Sequence, residues 1–278
     1  MSYESLGHIP RAPLVYTVGM IEYAPVPEME EYVPSIHKEL RQDFPDIPIP
    51  PNFFVNSVHV DLNPIEGKQE VRQVKIPQWP MNTADRSWGI VFNENRLILQ
   101  TSQYQHFDDF AQKLRRVLEV LAEKAQIAYT SNVGIRYIDN IKDIDELGIN
   151  DQIGQGFLSP KLTKDFEPEL SRVEHIYRSE EGHLFLRCYN LHDHPGIPED
   201  VHIMADQLFR GQKPIAPVDG RFSLLETDHI YRPAQLEPFN CNEVINRIDR
   251  LHQGASMAFR TAVTPEALEA WGTENNAN

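Results

Sequence analysis

The chain has 278 residues, 41% of them hydrophobic and 24% charged, a balance that supports a large buried core and excludes global disorder. Its 26 basic against 41 acidic side chains leave a net charge of −15, so nucleic acid and anionic membrane surfaces are disfavoured as partners. No apolar run is long enough to cross a bilayer, and no basic segment followed by an apolar one opens the sequence, so a cytoplasmic location is expected.

Residues 1–12 lack periodicity and read as a loose lead-in. Pro13 to Pro25 is rich in β-branched and aromatic residues and bounded by prolines, the mark of a strand. Met29, Val33, Ile36, Leu40 and Phe44 then recur at helical spacing, with Pro34 near the first turn or at a kink. Four prolines within PDIPIPPN, residues 45–52, give an extended connector. Val71 to Trp79 reads as a strand that Pro77 pushes towards a sheet edge.

Ser87 to Ile141 is the organising stretch. It reads as a strand (87–92), a tight turn at Asn93-Glu94-Asn95, a strand (96–102), a long amphipathic helix (106–126) and a strand (132–141). Phe107, Phe110, Leu114, Val117, Leu118, Leu121 and Ala125 form the helix's apolar stripe. Asp108 and Asp109 in its first turn and Lys124 in its last suit the helix dipole. Further on, 171–178 and 183–191 read as a hairpin closed by Ser179-Glu180-Glu181-Gly182, and 221–232 as another strand. A second long helix is expected from Cys241 to about Ala262, capped by Asn240 with Glu243 three residues on. Thr264-Pro265 starts a last short helix that Gly272 ends, with Trp271 docking it. The tail after Gly272 is expected to be disordered.

Each half of the chain, about 13–130 and about 131–272, runs strand, helix or helix-like segment, three strands, long helix. The expected fold is α+β: one domain built on an antiparallel, partly curved sheet with the two long helices on one face. Its halves would form a β-α-β-β-β-α pseudo-repeat. The other sheet face would then stand free for a partner.

Four stretches carry a resemblance: PLVYTVGMIEYAPVP, SWGIVFNENRLILQTSQYQHFDDF, NVGIRYIDNI and LHQGASMAFRTAVTPEALEAWG. With these the chain resembles an uncharacterised, sporadically distributed family of bacterial proteins. The middle, from about Lys142 to Gly220, matches poorly. The resemblance implies one domain spanning the chain and transfers no activity or catalytic residue. The family's patchy occurrence is similar to that of defence or toxin–antitoxin genes.

Three groups of residues are candidates for chemistry. His192, His194 and His202, with Asp193 and Asp200, offer metal-type ligands in a proline-rich loop, but their spacing fits no zinc pattern and a solvated loop explains them. The tetrapeptide HIYR occurs twice, as His175-Ile176-Tyr177-Arg178 and His229-Ile230-Tyr231-Arg232. On neighbouring strands it would place two His–Tyr pairs on one sheet face as a recognition strip. An ordinary amphipathic sheet also accounts for it. Arg136 and Asp139 interrupt an apolar strand, and Arg136 needs either a structural partner or a ligand. The tryptophans fit the core, and Cys188 and Cys241 read as small hydrophobes and not as a disulfide or metal pair. Motifs for phosphate cradles, zinc proteases and serine nucleophiles are missing from the sequence. The composite expectation is a binding protein without catalytic residues or cofactor, engaging another protein and open to self-association. The alternative is an enzyme or small-molecule binder with a pocket between sheet and helices.

Overall fold

The computed structural model describes residues 9–44, 53–63, 68–160, 162–163, 165–166, 168–202, 205 and 215–272, and for 53–75 the backbone alone. The expected lead-in before residue 9, the connector 45–52 and the tail 273–278 lie outside these residues.

Alternating burial makes Leu14–Tyr23 a strand (β1), whose Thr17, Ile21 and Tyr23 are buried on one face. Met29–Leu40 (α1) buries Met29, Val33, Ile36 and Leu40 on one stripe, with Pro34 inside the helix. Phe53–Asn63 (β2), to which no strand was assigned from the sequence, pairs with the long strand Lys68–Asn82 (β3). Pro77 does not place β3 at the edge, because β2 lies outside it. From Phe53 to Asn63, β2 runs along β3 as far as Gln78, and β4 (Trp88–Phe92) joins β3 on its other side only from Trp79. The proline therefore falls where β3 has a single neighbour and no second ladder to break.

Arg96–Thr101 (β5) follows the turn at Asn93, whose side chain accepts the Asn95 amide. Phe107–Ala125 (α2) ends at Gln126 in the left-handed conformation. The next strand, Tyr129–Ile141 (β6), starts three residues earlier than its apolar core suggests. After the one-turn helix Ile149–Gln152 (α3) come Ser171–Ser179 (β7), Gly182–His194 (β8) and Val218–Tyr231 (β9). A two-residue strand, Glu237–Pro238 (β10), pairs with β6. The second long helix spans Cys241–Ala262 (α4), with the Asn240 side chain accepting the amides of Asn242 and Glu243. In the last helix, Pro265–Ala270 (α5), Thr264 caps the Ala267 amide and proline stands in the first turn.

The sheet is antiparallel and open, in the order β2-β3-β4-β5-β1-β6-β9-β8-β7, so β1 and β6 meet at its centre and tie the two halves into one sheet. On either side of that seam the neighbour is the strand leading into the half's long helix: β5 beside β1, and β9 beside β6. The fold class is thus α+β with the long helices on one face. The first half carries one strand more than expected, since β2 and β3 form a hairpin in front of β4 and β5.

The main core lies between the sheet and helices α1, α2 and α4. Each fully buried Leu, Ile or Phe there stabilises by roughly 1.5–3 kcal/mol, which accounts for the apolar stripes. At its tightest point α4 crosses β9 at Gly254. A Cβ there would stand 2.6 Å from Cε1 and 2.7 Å from Nδ1 of His229. Gly254→Ala should therefore destabilise by about 1–3 kcal/mol, despite the better helix propensity of alanine. Urea unfolding checks this, and a gain in stability would show that the ring moves aside freely.

The opposite sheet face is not free at its centre, contrary to expectation. Tyr16, Val18, Val91, Ile138, Phe222 and Leu224 form a second apolar cluster, covered by Ile197, Val201 and Ala205. The proline-rich loop after β8 thus folds back and hides apolar side chains that alternation had placed on that face.

Candidate functional site

A cleft of about 710 Å³ lies on the helix side, where the start of α2, the middle of α4 and strands β6 and β9 meet. Period-two alternation aims Tyr137 and Asp139 of β6 into it, and Thr227 of β9 lies directly opposite Tyr137. From α4 come Asp249, His252, Gln253, Ser256 and Arg260, spaced three, one, three and four apart and so on one stripe beside the apolar one. Tyr104 to Asp108 form the wall at the start of α2, and Ile9 to Leu14 close the remaining side.

Inside the cleft the aromatic groups are tied together. The Tyr137 hydroxyl is 2.7 Å from Nδ1 of His252 and within hydrogen-bonding reach of Tyr104. His252 stacks on Phe107 at 4.2 Å between ring centres, and Tyr104 meets Tyr137 edge-on at 5.5 Å. Burial drives the His252 imidazole down to about 4, so it is neutral at physiological pH, and pushes the Tyr104 phenol up to about 12.

Asp139 is unlike the rest. It is 3% exposed and lines the cleft, and among the described residues its carboxyl has neither a hydrogen-bond nor an ion-pair partner. Desolvation holds it well above the usual carboxylate range, which favours its protonated form. Thr227, diagonal to it on the same sheet face, has its hydroxyl buried without a partner among the described residues. Two polar groups lining one cleft and left without such partners are what a binding site leaves for its ligand to satisfy.

The residues singled out from the sequence fall elsewhere. β8 lies between β7 and β9, so the two HIYR tetrapeptides are not neighbours and form no common strip. His229 is buried beneath α4, with Nδ1 donating to the Leu251 carbonyl at 3.0 Å, and burial lowers its pKa. Tyr231 donates to Glu237 at 2.6 Å, with the Arg247 guanidinium 3.6 Å above its ring, while Arg232 is exposed. His175 packs edge-on against Phe157, and Tyr177 and Arg178 are exposed on β7, the end strand of the sheet.

Arg136 has structural partners on the second face. It bonds Asp200 at 2.6 Å and approaches the fully buried Glu226 at 3.0 Å, and Glu226 also holds Arg187. Burial pulls the Arg136 guanidinium down, but its bond to Asp200 and the charge of Glu226 outweigh this and raise it. Asp228, in the same network, is raised by burial to about 6. Among the described residues no three His, Cys, Asp or Glu side chains converge as metal ligands. His192 pairs with Asp193 at 2.7 Å, His194 accepts the Gly196 amide, and His202 sits in the helical turn after Pro198. Both cysteines are free thiols, Cys188 buried and Cys241 half-buried.

Tyr104, Tyr137, His252, Ser256 and Arg260 escaped the reading of the sequence because nothing local distinguishes them from an amphipathic helix and strand. The available signal was Asp139, an acid in an apolar strand, together with the polar stripe on α4. No helix among the described residues is long and apolar enough to cross a membrane. No protein-family model, curated protein or solved structure matches this chain.

Proposed function

We propose that this protein binds a small organic cation, an amine or guanidine, in the cleft between the sheet and helices α2 and α4. The observation that carries this reading is Asp139: a buried carboxyl facing a cleft, without a hydrogen-bond or ion-pair partner among the described residues. A ligand ammonium would supply the hydrogen bonds and the opposite charge that allow it to ionise, releasing a proton on binding. Asp108 and Asp249 add negative potential, and the rings of Tyr104, Tyr137 and Phe107 offer faces or edges that suit a cation with an apolar body. Recognition of another protein is a second reading, favoured by the exposed end strand β7, and an accessory role in bacterial defence rests on the family resemblance.

Thermal unfolding in the presence of a panel of primary amines and guanidines tests the ligand. A member at a hundredfold excess over its dissociation constant should stabilise by about 2.7 kcal/mol, a rise in Tm of several degrees. Asp139→Asn should abolish that rise while leaving the protein folded. If no cation in the panel raises Tm, or if the variant responds as the wild type does, the reading fails.

A further inference from the structure

From the geometry and charge order of β7 we infer that this strand pairs antiparallel with β7 of a second copy, centred on Ile176, and joins two sheets into one. The inference is independent of the cleft. β7 is an end strand of nine residues with no proline and no lysine, the devices that usually protect a sheet edge. Instead it exposes Ile176 (58%) and Tyr177 (50%), and the run before it exposes Leu162, Phe166 and Leu170.

The hairpin turn fixes which backbone groups are available. Ser179 and Gly182 close a two-residue loop and face each other in the ladder. Residues 179, 177, 175 and 173 then direct their amides and carbonyls to β8, and 178, 176, 174 and 172 direct theirs outwards. Only pairings that set outward residues against outward residues are allowed. Centring on His175 would place Arg172 against Arg178, and on Glu174 a glutamate against itself. Centring on Ile176 sets isoleucine against isoleucine on the dyad and Glu174 against Arg178 twice across it. It also brings His175 opposite Tyr177 on the other face, which gives the first HIYR tetrapeptide a role. Among the registers without like-charge pairs, the one centred on Ile176 overlaps seven residues of β7 against five for Val173 and pairs its charges, which selects a second copy of this chain as the occupant.

Sedimentation velocity on the full chain at tens of micromolar should give a dimer of twice 32.0 kDa. Arg178→Glu, at an exposed position, sets the introduced carboxylate against Glu174 twice and should weaken the dimer about tenfold or more. Glu174→Arg sets the introduced guanidinium against Arg178 and should do the same. Mixing the two variants should restore a dimer, now of one copy of each. The introduced carboxylate of one variant then faces the introduced guanidinium of the other, and the unchanged Glu174 of the first faces the unchanged Arg178 of the second. A destabilised fold could not be rescued in this way. A monomer throughout the concentration range overturns the inference. So does a dimer indifferent to both substitutions, or a different protein bound to the edge in preference to a second copy.

Discussion

Replacing Asp139 by asparagine is expected to stabilise the protein at pH 8 and to leave it nearly unchanged at pH 4. Burial without a partner raises the folded-state pKa of this carboxyl well above its unfolded value. Below the unfolded pKa both states carry the proton and the group makes no difference. As pH rises, the unfolded chain ionises its aspartate while the folded protein cannot, and stability is lost until the folded pKa is reached. Asparagine has no such term. The gain at pH 8 should be of the order of 1–3 kcal/mol, since each unit by which the folded-state pKa exceeds the unfolded one costs about 1.4 kcal/mol once the unfolded chain is ionised. Urea unfolding of both proteins at the two pH values measures it. An equal effect at both, or a loss at pH 8, would mean that Asp139 is ionised and paired. The same substitution removes the proposed ligand anchor, so stability and binding should move in opposite directions. This is the pattern expected of a group kept for function at a cost in stability.

The largest expected loss lies on the other side of the sheet. Glu226 is fully buried between Arg136 and Arg187, and each guanidinium is mostly covered. Glu226→Ala should destabilise by about 3–5 kcal/mol, because it leaves two desolvated cations without their shared acid. Asp200 bonds the same Arg136, but its side chain is 69% exposed. Asp200→Asn should therefore cost no more than about 1 kcal/mol and show sensitivity to salt. Chemical denaturation at low and high ionic strength separates the two. Similar losses for both substitutions would show that the network acts as one surface cluster and has no buried keystone.

Most strands, α1 and both long helices follow from local pattern. The apolar stripe of α2, the β6 run from Asn132, the Asn240 cap and the Thr264-Pro265 start each depend on residues close together in sequence. Period, cap and breaker act over that range. β2 was legible too, since Val58, Val60 and Leu62 alternate with His59, Asp61 and Asn63, although no strand was assigned there. The pseudo-repeat is visible as a rhythm in the chain, yet only pairing shows that β1 and β6 form the seam.

The candidate site is of the other kind. Tyr104, Tyr137, Asp139, Thr227 and His252 come from a helix entrance, two strands and a second helix, and no local rule distinguishes them. The sequence alone determined where the chain becomes strand or helix and which side of each element is oily, because burial preference is written at spacings of two and of three to four residues. Only the folded chain decided that one carboxyl lines the cleft without a partner among the described residues while Arg136 finds Asp200 and Glu226, because desolvation and pairing depend on what distant segments bring alongside.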